Sequence, residues 1–200
     1  IYYLESRGYR PEEIFRIGKT LKNKAKRYYT VDNSIYENRK SAGNVIDKEA
    51  GILNRGNLTR LKNFLNRAAQ GERLTVGFIG GSITQGFAAT APDKCYAART
   101  VAWLRKVFPN TEFDYVNAGI GATDSQFGAA RVQEDLLQRL PDLVMVEFSV
   151  NDHCTPHDME TYEGLIRQIY GSRSCPAMVL LHSVYYDTGK SAAYYHAQIG

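Results

Sequence analysis

The 200-residue chain has only three cysteines, Cys95, Cys154 and Cys175. They are odd in number, widely spaced and never in CxxC spacing, which excludes a disulfide-stapled small domain and a thiolate zinc cluster. Reduced thiols in a cytoplasmic setting are expected. No apolar run reaches the ~20 residues a membrane helix needs, and the first residues lack the basic, apolar and small-residue order of an export signal. No membrane partner is expected. The chain also lacks an internal repeat and a low-complexity tract, so neither a solenoid nor an array is encoded. The glycine-flanked serine elbow GxSxG of the α/β-hydrolases is missing as well.

What is present is unevenly distributed. The net charge of +4 hides a front segment, residues 1–70, with 15 Lys/Arg against 7 Asp/Glu, and a remainder with 10 against 14. The densest basic run is Lys22, Lys24, Lys26 and Arg27, followed by Tyr28 and Tyr29. Cations beside aromatics are what nucleic acid requires, but a solvated helix face is the favoured reading of the run, because no recognised binding fold surrounds it. No nucleic-acid partner is inferred. A helix is predicted over 11–27, with Glu12 and Glu13 where the helix dipole favours acids. Residues 28–57 are polar and glycine-broken. Residues 1–56 therefore read as a basic helical or irregular N-terminal extension, and 57–200 as the main domain.

The main domain alternates. After a predicted helix at 58–70 come LTVGFIG at 74–80, a helix near 95–108, FDYVNAG at 113–119 and a helix near 125–139. DLVMVEFSV at 142–150, a helix near 159–170 and AMVLLHSV at 177–184 complete the series. Short strands apolar on both faces and joined by amphipathic helices specify an α/β fold, a doubly wound parallel sheet. Such sheets bind ligands at the carboxyl ends of their strands. Three small polar clusters follow three strands: Gly80-Gly81-Ser82-Ile83-Thr84-Gln85-Gly86, Asn117-Ala118-Gly119-Ile120-Gly121-Ala122-Thr123, and Ser149-Val150-Asn151-Asp152.

Each cluster has a chemical reading and a plain one. Ser82 at a Gly-Gly turn presents a hydroxyl beside free backbone N–H groups, which suits nucleophilic attack; a helix-capping serine would look the same. Gly119-Ile120-Gly121 suggests a dinucleotide turn, but Asp124 stands where GxGxxG needs a third glycine or alanine. Asn151 offers a side-chain amide to a developing oxyanion, or merely forms a turn. Asp152 is expected to fix the loop rather than react.

Taken in order, the clusters resemble the blocks of the SGNH/GDSL hydrolase superfamily, over residues 73 to about 185. GGSITQG looks like the first block with Gly81 in place of the usual aspartate. NAGIGAT is similar to the second, with Ala122 at the usual glycine, and VND matches the third at Asn151, with Ser149 replacing a glycine. The resemblance implies the flavodoxin-like three-layer sandwich of those hydrolases and a serine-dependent ester hydrolase working through an acyl-enzyme. Ser82 would be the nucleophile, and Ser82, Ala122 and Asn151 the oxyanion hole. It implies no cofactor and no metal, and a small-molecule or carbohydrate ester as substrate, with a carbohydrate acetylesterase favoured by the GGSITQG form. A lipase or thioesterase, and a non-catalytic acyl- or carbohydrate-binding fragment, remain the alternatives. The last block, Asp-x-x-His, has no counterpart: His153, His157, His182 and His196 lie in other settings, and each is expected to be structural or exposed. The catalytic His/Asp pair is thus expected outside this chain, along with the last strand and helix. Oligomeric state has no signature in the sequence.

Overall fold

The computed structural model describes residues 51–183 and 192–199. The helix predicted over 11–27 and the basic run at 22–27 lie outside the described residues. From Arg55 onward the described chain forms a compact unit. Its elements are α1 (Thr59–Ala69), β1 (Leu74–Gly80), the single turn α2 (Ser82–Gln85), α3 (Tyr96–Val107), β2 (Phe113–Gly119) and α4 (Ser125–Asp135). They continue with β3 (Leu143–Glu147), α5 (Pro156–Tyr170), β4 (Ala177–Leu180) and α6 (Ala193–Ile199). Short 3-10 turns at Pro92–Lys94 and Leu137–Arg139 join the set.

The four strands are all parallel, in the order β2-β1-β3-β4. Parallel neighbours need crossovers, and those crossovers cover both faces. On one face Leu74, Val76 and Phe78 of β1 pack with Phe64 and Ala68 of α1 and Val101 and Leu104 of α3. On the other, Ile79 of β1 and Val144 and Val146 of β3 meet Val132 of α4 and Tyr162, Leu165 and Ile169 of α5. This is the expected three-layer α/β fold. The central strands β1 and β3 are buried on both sides, which is why their sequences read as unbroken apolar runs, whereas the edge strand β2 is half-exposed and carries Asp114 and Asn117.

Local chemistry sets the boundaries. Asp124 caps α4 by accepting from the Phe127 N–H at 3.0 Å. Thr155 and Asp158 form a reciprocal capping box, with Pro156 at the first helical position, so α5 begins three residues before the sequence pattern predicts. The helix expected to reach 139 ends at Asp135 and continues as a 3-10 turn, with Leu140 in the left-handed region at φ 50°. β3 and β4 stop at Glu147 and Leu180, short of their apolar runs, because the ladder between them ends there and the chain turns.

Candidate active site

The chain leaves β1 toward β2 on one side and reaches β3 on the other, so the carboxyl ends of β1 and β3 lie at the point where the connections diverge. Gly81, immediately after β1, donates its N–H to the Glu147 carbonyl at the end of β3 (3.3 Å). Ile120, immediately after β2, donates to the Gly80 carbonyl (3.1 Å). These two bonds draw all three polar loops to one edge of the sheet.

Ser82 opens α2 and is partly exposed. The turn is held from several directions. Gly86 and Phe87 both donate backbone N–H groups to the Ser82 carbonyl (3.0 and 2.9 Å), with Gly86 at φ 104° closing the turn in a conformation that favours glycine. The Asn117 carboxamide donates to the Thr84 carbonyl (2.8 Å) and accepts from the Gly119 N–H (2.9 Å). The buried Thr84 hydroxyl pairs with the Tyr96 hydroxyl at 2.9 Å, and burial raises the pKa of that phenol. The Gln85 side-chain oxygen accepts from the Gly121 N–H (2.9 Å), tying the first loop to the second.

Among the described residues the Ser82 hydroxyl has no hydrogen bond, and neither the Ser82 nor the Ala122 N–H has a protein acceptor. Ala122 is held at φ 59°, in the left-handed region. Its neighbour Gly121 is so close to the serine that a Cβ there would stand 3.8 Å from Ser82 Cβ. Asn151 lies against the other side: a Cβ on Gly81 would overlap its Oδ1. The loops carrying Ser82, Ala122 and Asn151 therefore converge. Asn151 sits in a tight turn in which both it and Asp152 donate backbone N–H groups to the Phe148 carbonyl (2.9 and 3.0 Å).

Asp152 does fix the loop. It is 6% exposed, its Oδ1 accepts from the Ser125 N–H (2.8 Å) and its Oδ2 lies 2.8 Å from His196 Nε2. Close by, the wholly buried Glu147 carboxyl accepts from the Ser149 hydroxyl (3.0 Å). Burial raises its pKa, against the opposing pull of Ser149. His182 is half-buried, and burial, with the His196 imidazole beside it, lowers its pKa to about 4. His153 and His157 are exposed at the start of α5. None of the four histidines is hydrogen-bonded to Ser82. Sequence reasoning missed the Asp152–His196 pair, since 44 residues separate the partners. It also missed Asn117, whose only signal is a polar residue near the end of an apolar strand.

Two cavities flank the sheet, the first away from this edge and the second reaching it at Asn117 to Ile120. One of about 50 Å³ is lined by Arg60, Arg67, Asp142 and Cys175. The other, of about 360 Å³, follows the open edge of β2 past Arg131 and Arg139. Ser82 borders neither. Among the described residues no group of His, Cys, Asp and Glu is arranged to hold a metal ion, and no helix is long and apolar enough to cross a membrane.

The parallel α/β sheet thus carries a serine at the turn after its first strand, with a glycine-rich and an asparagine-bearing loop beside it. The chain belongs to the GDSL-like lipase/acylhydrolase family, whose model matches residues 78–198. A two-domain esterase active on acetylated mannans, co-crystallised with mannopentaose, is 51% identical, with a TM-score of 0.76 over 78% of this chain and 43% of its own. A second crystal structure under that description gives 52% identity and the same TM-score, over 78% and 42%. The chain thus spans less than half the length of these esterases. A catalytic mutant of an acetylxylan esterase from Geobacillus stearothermophilus shares the fold, at 21% identity and a TM-score of 0.51 over 63% of this chain and 71% of its own. No curated protein sequence matches.

Proposed function

We propose that this chain carries the nucleophile and oxyanion hole of a serine esterase that removes acetyl groups from a carbohydrate ester, mannan-type polysaccharide being the favoured substrate. The observation that carries the reading is the convergence of three loops on a hydroxyl and two N–H groups that no atom of the described residues uses. In the reaction, Ser82 Oγ attacks the ester carbonyl carbon as a histidine takes its proton. The N–H groups of Ser82 and Ala122 and the Asn151 amide bind the oxyanion. The bond between the acyl carbon and the sugar oxygen breaks as the histidine gives its proton to that departing oxygen, and water repeats the cycle to release acetate. Each covalent step needs that base. None of the four histidines bonds to Ser82, so we assign the base to a histidine–aspartate pair outside these residues, as the family resemblance implies. The preference for acetylated mannan rests on the half-identical two-domain esterase.

The test is a fluorophosphonate probe on the full-length protein. Labelling should be lost in Ser82→Ala, with kcat falling by about 10³-fold or more, and acetylated manno-oligosaccharides should be cleaved faster than esters of long acyl chains. Labelling that survives Ser82→Ala would remove the serine from the mechanism. A preference for C8 or longer acyl groups would replace the carbohydrate reading with a lipase or thioesterase.

A further inference from the structure

The helix α6 reaches back to the loops that carry the site. Ala192, just before it, donates its N–H to the Ser149 carbonyl at 2.6 Å. His196 is 1% exposed and lies flat on the Tyr162 ring, centroids 3.6 Å apart and planes within 2°. Its Nε2 stands 2.8 Å from Asp152 Oδ2, and the Asp152 side chain is likewise sealed from solvent. A carboxylate only accepts, so Nε2 carries the proton; Nδ1 is buried and has no partner among the described residues. The other carboxylate oxygen holds the buried Ser125 N–H. Ser125 is three residues beyond Ala122, and Asp152 is next to Asn151.

One buried carboxylate therefore pins together the two loops that carry Ala122 and Asn151, and one histidine holds that carboxylate in place. We propose that His196 is a positioning residue for the oxyanion hole, acting through Asp152 to fix the Ala122 loop against the Asn151 loop. The proposal rests on the esterase reading above. His196 is not itself the base, because the nitrogen not engaged by Asp152, Nδ1, is buried and makes no bond to Ser82, and its ring is enclosed. Removing the imidazole leaves a buried carboxylate short of a donor, which is costly enough to pull the loop toward water. Oxyanion stabilisation falls steeply with displacement of its donors, because they act at short range from fixed positions.

The experiment compares His196→Leu, which removes the donor, with His196→Gln, whose amide can still reach the carboxylate. Both are made in the full-length protein and normalised by active-site titration. Two readouts separate positioning from folding: the kcat–KM split on 4-nitrophenyl acetate, and the Ki of phenylboronic acid, which forms a tetrahedral adduct on a reactive serine. His196→Leu should lower kcat about 10- to 100-fold and raise Ki by a similar factor, with KM within about twofold of wild type; His196→Gln should recover most of both. If His196→Leu does not fold, His196→Asn, too short to bridge to Asp152, makes the same comparison. An unchanged Ki with kcat per titrated site intact would reduce His196 to a folding role and overturn the proposal. Activity that survives Ser82→Ala would instead sink the esterase reading, so the two failures are told apart.

Discussion

Ala122 occupies a backbone conformation, φ 59°, that costs an L-residue about 1 kcal/mol or more and glycine almost nothing. The methyl group is exposed, so nothing but the backbone resists a change there. Ala122→Gly should retain full esterase activity and change stability by no more than about 1 kcal/mol, measured by urea unfolding. Ala122→Val, β-branched, should lose at least about tenfold in kcat by twisting the N–H away from the oxyanion. Equal activity in the two variants would mean that this N–H is not a donor in the reaction. The loop-end residues Ser82, Ala122 and Asn151 were legible in the sequence because each follows a strand and the three occur in order. His196 was not, because its partner lies 44 residues away and its neighbours Tyr195 and Ala197 carry no sign of burial in a polar network.

At the scale of elements, β2 and α2 approach so closely that only glycine fits between them. A Cβ on Gly119 would stand 2.6 Å from the Thr84 carbonyl carbon and collide with the Gln85 backbone nitrogen. Backbone cannot yield as a side-chain tip can. Gly119→Ala should therefore cost about 2–3 kcal/mol of stability and, by pushing α2 outward, lower activity as well. Gly164, in the middle of α5, has open space around its missing Cβ. Gly164→Ala should raise stability by about 0.5–1 kcal/mol with activity unchanged; paired denaturation and kinetic measurements check both. The strands and helices themselves were readable from periodicity, since two-sided burial makes β1 and β3 continuously apolar. Their ends were less so, because they depend on where the partner strand stops, as at Leu180, or on a cap such as Thr155 with Asp158.

For the whole molecule, the buried polar region between β3, β4 and α6 makes stability depend on pH. His182 has its pKa lowered from 6.5 to about 4. The unfolded chain takes up a proton near 6.5 and the folded one does not, so this residue makes stability fall as pH drops from about 6.5 to about 4, and adds no slope above that window. The difference in unfolding free energy between wild type and His182→Gln isolates the effect, because Glu147 titrates in both proteins. The wild type should lose ground to the variant across that window, and a pH-independent difference would contradict the assignment. The order β2-β1-β3-β4 was only partly legible: the sequence specified a doubly wound parallel sheet, but the placement of β3 beside β1 comes from long-range pairing that periodicity does not encode.

The proposed convergence of three loops on a nucleophilic Ser82 hydroxyl is tested most directly by a crystal structure of the full-length protein after phosphonylation. The phosphorus should be bonded to Ser82 Oγ, with its oxygen within hydrogen-bond reach of the Ser82 N–H, the Ala122 N–H and the Asn151 amide. A phosphonyl oxygen turned to solvent, or phosphorus on another residue, would contradict the account.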